Sequence, residues 1–114
     1  MVELYRRVGK IPGGDTGNSR VLRADEEHLA HFAASRAGVE AFVEPGGAVT
    51  ETTVVLVAAS GEWTRRRVPG PQAAHQLARR LGIPAFDAPV VGYPTRMRVW
   101  SARLAAEAKA RREP

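Results

Sequence analysis

The sequence contains no cysteine. This absence excludes disulfide bonds, thiolate catalysis, and zinc or iron–sulfur sites built on cysteine ligands. No apolar run approaches the roughly 20 residues that span a bilayer, and no apolar segment follows the first charges as a secretory signal would require. We therefore expect a cytoplasmic protein without a membrane partner, and nothing in the composition indicates a cofactor or a metal.

Lysine is scarce, whereas arginine is abundant and unevenly placed. Residues 61–114 carry ten Arg and one Lys against four acidic residues, a net charge of +7, whereas residues 1–60 carry a net charge of −2. A basic half beside a mildly acidic half predicts a surface that meets a polyanion or an acidic protein. The same arginine and alanine content is also typical of a GC-rich genome, so part of the excess has a compositional explanation.

The length of 114 residues provides for a single domain, residues 1–114, with one modest hydrophobic core. Hydrophobic periodicity predicts an α+β fold, with an antiparallel sheet of three to four strands and two to three helices packed mainly on one face. A further short edge strand is predicted at Val90–Val91, reached by a right-handed crossover. The predicted helices cover 25–37, 71–81 and 95–112, and the predicted strands cover 39–44, 52–59 and 62–68.

The two ends of the chain are predicted to be less regular. Residues 1–8 could form a short strand, but residues 9–19 are dense in Gly, Pro, Asn and Asp, which predicts an irregular, flexible loop. No Lys-Ser/Thr pair follows these glycines, so a linker is favoured over a phosphate-binding loop. At the other end, residues 110–114 are expected to fray.

The second and third predicted strands form a hairpin. Ser60-Gly61 has the composition of a two-residue turn. Such a turn sets Trp63 opposite Ala58 and Arg65 opposite Leu56. Because side chains alternate along a strand, Arg65 is expected on the face of Trp63 and the next arginine on the other face.

The third strand carries the strongest candidate site. An aromatic ring beside guanidinium groups is typical of grooves that bind single-stranded nucleic acid, in which bases stack on the ring and Arg meets phosphate. Arginines of the later helices could extend that surface. In the alternative interpretation, arginines on an exposed strand block edge-to-edge pairing and the ring packs under their stems. The predicted nucleic-acid-binding residues are Trp63, Arg65, Arg66, Arg67, Arg79 and Arg80.

The last predicted helix carries a narrow apolar stripe surrounded by basic residues. A stripe of this kind most often docks on a sheet. Docking on a partner protein is an alternative, and the small alanine side chains make binding to an acidic membrane surface weak. The stripe consists of Met97, Trp100, Leu104 and Ala108.

The other polar residues give little indication of catalysis or metal binding. No nucleophile, base and orienting group can be named together. Arg79 lies four residues after His75 and disfavours its protonated form. His28 and His31 have a spacing that can bring two imidazoles to one metal, but a third ligand is not apparent, so solvated histidines are favoured. The candidates for an acid, a base or a binding group are Asp87, His75 and Tyr93.

The stretch from Trp63 to Met97, WTRRRVPGPQAAHQLARRLGIPAFDAPVVGYPTRM, resembles small proteins of actinobacterial type that carry no assigned activity. The resemblance covers about a third of the chain. It implies a cytoplasmic bacterial protein and supplies no catalytic or ligand residues.

These observations lead to two functional hypotheses. The first is a non-enzymatic module that binds nucleic acid through the arginine-rich surface. The alternative is a protein-interaction or self-associating module, in which acidic and basic surfaces of two copies, or of this chain and an acidic protein, meet.

Overall fold

The computed structural model describes residues 16–47 and 51–112. The α+β class is confirmed: the described residues form four helices and one four-stranded sheet. The predicted strand at 1–8, residues 9–15 of the predicted loop and the last two residues lie outside this part. The elements follow one another as α1 (Thr16–Ser35), β1 (Glu40–Glu44), β2 (Thr52–Val57), β3 (Trp63–Val68), α2 (Pro71–Leu81), β4 (Ala85–Asp87), α3 (Ala88–Val91) and α4 (Thr95–Arg112).

The sheet is mixed, with strand order β3-β2-β1-β4. The three strands β1, β2 and β3 pair antiparallel, as predicted, whereas β4 pairs parallel to β1. The fourth strand is Ala85–Asp87, so its predicted position at Val90–Val91 is wrong. Pro89 explains the difference, because proline suits the first turn of a helix and cannot donate to a strand ladder.

Strand β2 is covered on both faces, as its run of branched apolar residues predicts. On the first face, Val54 and Leu56 pack with Leu29 and Phe32 of α1 and with Leu77 of α2. All five of these side chains are at most 6% exposed. Helices α1 and α2 therefore supply the helical side of this half of the core.

The second face is also covered, so the prediction that the helices pack mainly on one face is incomplete. Here Val55 and Val57 form a cluster with Phe42, which is only 5% exposed. Tyr93 and Met97, from the segment around the start of α4, pack against this cluster. The chain after β4 thus returns across the sheet and closes the second half of the core.

Helix α1 begins earlier than the sequence predicts. It starts at Thr16 and ends at Ser35, so residues 16–19 of the predicted loop form its first turn. No Gly or Pro occurs between residues 18 and 37, so nothing in the backbone stops the helix there. Gly38, with φ 62°, then reverses the chain into β1.

The register of the β2–β3 hairpin differs by one residue from the prediction. Trp63 pairs with Val57 rather than with Ala58. The Ala58 amide donates to the Glu62 carbonyl at 2.8 Å, so the loop has three residues, 59–61, rather than two. Shifting the register by one residue places each side chain of β3 on the opposite face of the sheet. The Trp63 ring therefore lies on the second face, beside Val57.

Helix α4 is attached to this hairpin through its first turn. A Cβ atom on Gly61, whose φ is +96°, would stand 2.2 Å from the Arg96 carbonyl oxygen. The Arg96 side chain donates from Nε to the Ala58 carbonyl at 2.9 Å and from Nη2 to Glu40 Oε1 at 2.6 Å. The absence of a side chain at residue 61 therefore lets α4 approach the turn.

Beyond its first turns, α4 leaves the sheet. The Trp63 indole Nε1 donates to Ser101 Oγ at 2.8 Å, and no residue of α4 is buried. Docking on the sheet, the commonest of the three interpretations, holds for only part of the stripe: Met97 packs against the second-face cluster, whereas Leu104 is 45% exposed. No helix among the described residues is long and apolar enough to cross a membrane.

We predict that Gly61→Ala lowers the free energy of unfolding by more than about 2 kcal/mol, because it adds a backbone clash to an unfavourable φ. The matched control is Gly82→Ala: its φ is +71°, but a Cβ there meets nothing within 4 Å. This control should cost about 1 kcal/mol. Urea unfolding of both variants measures the difference, and equal losses would show that α4 does not need to approach the turn.

Candidate functional site

The first of the predicted arginines, Arg65, is held in an ion pair. Its Nε and Nη2 atoms donate to the two carboxylate oxygens of Glu44, each at 3.0 Å. The hydroxyl groups of Thr53 and Tyr93 donate to the same carboxylate. Burial opposes the charge of Glu44, but the bonds from Arg65, Thr53 and Tyr93 more than offset it and lower the pKa of Glu44. The charge of Arg65 is therefore balanced inside the molecule.

The other two arginines of β3 also lie near carboxylates. Arg66 points to the opposite face, where its Nε lies 3.7 Å from Asp25 Oδ1 of α1. Arg67 Nε lies 3.5 Å from Glu51 Oε2, in a pair whose side chains are both more than half exposed. The alternation of the three arginines between faces agrees with the strand geometry that the sequence predicts. None of the three is left without a nearby acid.

The indole of Trp63 is engaged as well. Its edge is tied to Ser101 by a hydrogen bond, and its ring packs against the second-face cluster. The Arg65 guanidinium lies 5.5 Å from the ring centroid, within the range of a cation–π contact. The position of the ring therefore favours the alternative interpretation, in which it packs beneath arginine stems, over a ring that is free to stack on bases.

Arg79 and Arg80 lie elsewhere, in the last turn of α2. Both are exposed, and neither forms an ion pair with any described residue. Arg80 acts at a distance on Glu26: burial raises the pKa of Glu26, and the charge of Arg80 partly opposes this. Because α2 covers the first face and Trp63 lies on the second, the structure does not bring the six predicted residues to one surface.

Most of the ion pairs join the acidic half of the chain to the basic half. In one of these pairs the cation comes from the first half: Arg36 pairs with Glu62 of the second half, with an Nη2–Oε2 distance of 2.7 Å. The self-association hypothesis stays a prediction, but four of the six described carboxylates of the first half already pair with arginines of the second half within one molecule. The other cross-half pairs are Glu44–Arg65, Asp25–Arg66, Glu51–Arg67 and Glu40–Arg96.

The cations without a carboxylate partner are concentrated on α4. Five of its basic side chains are exposed, and none forms an ion pair with a described residue. The helix contains a single acidic residue, Glu107. We call these five residues the α4 cations: Arg98, Arg103, Lys109, Arg111 and Arg112.

An aromatic ring accompanies the α4 cations. The Arg103 guanidinium lies 4.6 Å from the centroid of the Trp100 ring, and the indole is only partly buried. The sequence interpretation missed this pair because it assigned Trp100 to a docked stripe. A signal was available: after Leu104, the stripe continues only with alanine, which offers little apolar surface for docking.

The three polar candidates for catalysis do not form one site. His75 Nε2 lies 3.1 Å from Asp87 Oδ1, so these two residues form a pair between α2 and the end of β4. Tyr93 lies with the cluster of the second face. The sequence places Arg79 four residues after His75, and the structure adds the Asp87 carboxylate as a second charged neighbour.

The two histidines with metal-binding spacing have different surroundings. His28 Nε2 lies 2.6 Å from Thr64 Oγ1 of β3, whereas His31 is exposed. Burial and the charges of Arg66 and Arg36 lower the pKa of His28. Among residues 16–47 and 51–112, no group of three or more side chains of the types that hold a metal ion is present.

No family model, curated protein or solved structure matches this chain. The functional interpretation therefore depends on the geometry and charge of its own residues. It depends on two features: the arginines of β3, which are paired, and the α4 cations, which have no ion-pair partner in the part of the chain that the structure describes.

We predict that Glu44→Gln lowers the free energy of unfolding by about 1 kcal/mol near neutral pH, because Arg65 loses a charged partner. The pKa of Glu44 is lower in the folded protein than its ordinary value of 4.5. The charge therefore stabilises the fold above pH 4.5, and this contribution disappears as the pH falls through the lowered pKa. The difference between the variant and the original protein should shrink in the same way.

Chemical denaturation at several pH values measures this difference. Glu51→Gln is the matched control, since the Glu51–Arg67 pair is exposed and should contribute at most about 0.5 kcal/mol. A pH-independent difference for Glu44→Gln would contradict a stabilising role for its charge.

Proposed function

We propose that this protein is a non-enzymatic module that binds nucleic acid through α4. The α4 cations would contact phosphates, and Trp100 would stack on an exposed base. The observation that carries the proposal is that these cations have no carboxylate partner among the described residues, whereas the arginines of β3 do. A cation beside a carboxylate attracts a phosphate less than an unpaired cation does, because the carboxylate repels the phosphate.

The length of α4 supports a polyanion as the ligand. The stretch from Arg98 to Arg112 spans about 21 Å at the rise of an α-helix. Phosphates follow each other every few ångströms along a nucleic-acid strand, so a straight helix can meet several of them at once. Arg98 and Lys109 lie on one side of the helix, whereas Arg103 and Arg111 lie with Trp100 on the other, so the strand would wrap around α4 to reach both. Binding should therefore be electrostatic and largely independent of base sequence.

The six residues predicted from the sequence divide into two groups with different roles in this proposal. Arg79 and Arg80, which form no ion pair with a described residue, would add phosphate contacts from α2. For the arginines of β3 and for Trp63, we propose a mainly structural role that joins β3 to β1, to α1 and to α4. A cytoplasmic location in a bacterium, where nucleic acid is accessible, accords with such a module.

The decisive comparison uses two variants that remove the same charge. We predict that Arg98→Gln/Lys109→Gln/Arg111→Gln weakens binding to a mixed-sequence single-stranded RNA by at least about tenfold at low salt. The matched variant Arg65→Gln/Arg66→Gln/Arg67→Gln should weaken it by about threefold or less, because those arginines are paired. Fluorescence anisotropy with labelled RNA measures both affinities, and circular dichroism checks that both variants are folded.

The salt dependence provides a second readout. For single strands, each lost phosphate contact reduces the slope of log affinity against log salt by about 0.7. The α4 variant should therefore lose about two units of slope, and the β3 variant should keep most of its slope. Equal effects of the two variants would contradict the placement of the site on α4.

Two further ligands separate nucleic acid from other polyanions. A polyglutamate peptide and vesicles containing phosphatidylserine present negative charge without bases. RNA binding that exceeds both, and that falls when Trp100→Leu removes the stacking ring, supports nucleic acid. Equal binding to polyglutamate would instead support an acidic protein as the partner.

A further inference from the structure

A small cleft lies between α2 and the edge strand β4, away from α4. Its volume is about 250 Å³, and it is lined by His75, Ala78, Arg79, Ile83 and Ala85. Two of these five residues carry polar groups that can face a ligand. Helix α2 packs on the first face of the sheet, and no residue of α4 lines the cleft.

Arg79 supplies an uncommitted cation to this cleft. Its side chain is exposed and forms no ion pair with a described residue. A guanidinium presents several N–H donors in a planar fork that matches the oxygens of phosphate. Because Arg79 follows His75 by four residues on the same helix, the two side chains project from neighbouring positions of one helix face.

His75 supplies a second group whose position is fixed by a neighbour. Its Nε2 atom lies 3.1 Å from Asp87 Oδ1, and the carboxylate acts as the acceptor when Nε2 carries the proton. The remaining ring nitrogen, Nδ1, is then available for a ligand. A protonated ring donates to a phosphate oxygen from Nδ1, and a neutral ring accepts from a phosphate O–H.

We propose that this cleft binds a single phosphate group, held by the Arg79 fork and by the His75 ring. The cleft volume exceeds that of a phosphate group, so part of the attached molecule can enter as well. The Asp87 carboxylate accepts from His75 and orients its ring. The proposal does not depend on α4, since no residue of α4 lines the cleft, although Arg79 also belongs to the wider basic surface proposed above.

Two sources can present this phosphate: a small free phosphate compound, or the terminal phosphate of a nucleic-acid strand. Both have the same dianionic group and differ in what is attached to it. The probes are inorganic phosphate, and a short oligonucleotide with either a phosphate or a hydroxyl at its 5′ end.

The first experiment is an NMR titration of the full chain with inorganic phosphate at constant ionic strength, with chloride as the reference anion. We expect saturable shifts confined to amides of residues 75–85. Arg79→Gln should weaken the affinity by about tenfold or more, since it removes a charged hydrogen-bond donor. Arg80→Gln is the matched control, because Arg80 is the next exposed arginine but does not line the cleft; its effect should stay within about twofold.

The second experiment uses the two oligonucleotides with the Arg98→Gln/Lys109→Gln/Arg111→Gln variant, in which the α4 surface is weakened. Tighter binding of the 5′-phosphate form, lost in combination with Arg79→Gln, identifies a strand end as the source. Binding of inorganic phosphate with no preference between the two ends identifies a small free compound. Shifts that do not saturate, or equal losses for Arg79→Gln and Arg80→Gln, would overturn the cleft as a phosphate site even if α4 binds RNA.

Discussion

The central strand β2 has to be buried on both of its faces, and the rest of the architecture follows from this requirement. Its side chains from Val54 to Val57 are at most 2% exposed. Helices α1 and α2 can cover only one face, because both pack with the same set of alternating residues. The chain must therefore return across the other face after β4, and it does so with Tyr93 and Met97. This return brings α4 to the β2–β3 turn.

Electrostatics then decides which parts of the surface remain charged. The carboxylates of β1 point to the second face, where Glu40 bonds Arg96 and Glu44 bonds Arg65. Each of these pairs also ties one element to the next, since Arg96 belongs to α4 and Arg65 to β3. These and the pairs of Arg66 and Arg67 engage four of the eleven basic residues of 61–114 with carboxylates of the first half. What remains is concentrated on the part of α4 that extends past the sheet.

The elements with strong local signals could be predicted from the sequence. The apolar run of β2 indicates a strand covered twice, and α2 has both a regular stripe and a stop at Gly82, whose φ is 71°. The sequence interpretation misses the hairpin register because it assigns Gly61 to a two-residue turn. With a φ of 96°, Gly61 is instead the last residue of a three-residue loop, and its amide donates to the Ala58 carbonyl at 2.9 Å. The position of β4 depends on parallel pairing with β1.

The sequence shows the residue pattern behind the candidate site but not the partners of its arginines. An aromatic ring beside arginines is a sound signal, and it occurs twice, at Trp63 with Arg65 and at Trp100 with Arg103. The sequence cannot show that Glu44 neutralises Arg65, since 21 positions separate them. The sequence also cannot show that other side chains fill the second face, which leaves Leu104 exposed.

The attachment of α4 by its first turns alone divides the chain into two parts with different constraints. The described residues of the sheet, and those of the helices that pack on it, must satisfy packing, register and ion pairing together, so few of them can change alone. The outer turns of α4 contribute no buried side chain, so their composition is free to drift without disturbing the core. Over evolutionary time, the strength of the positive field could thus be retuned in one short stretch while the scaffold that presents it stayed constant.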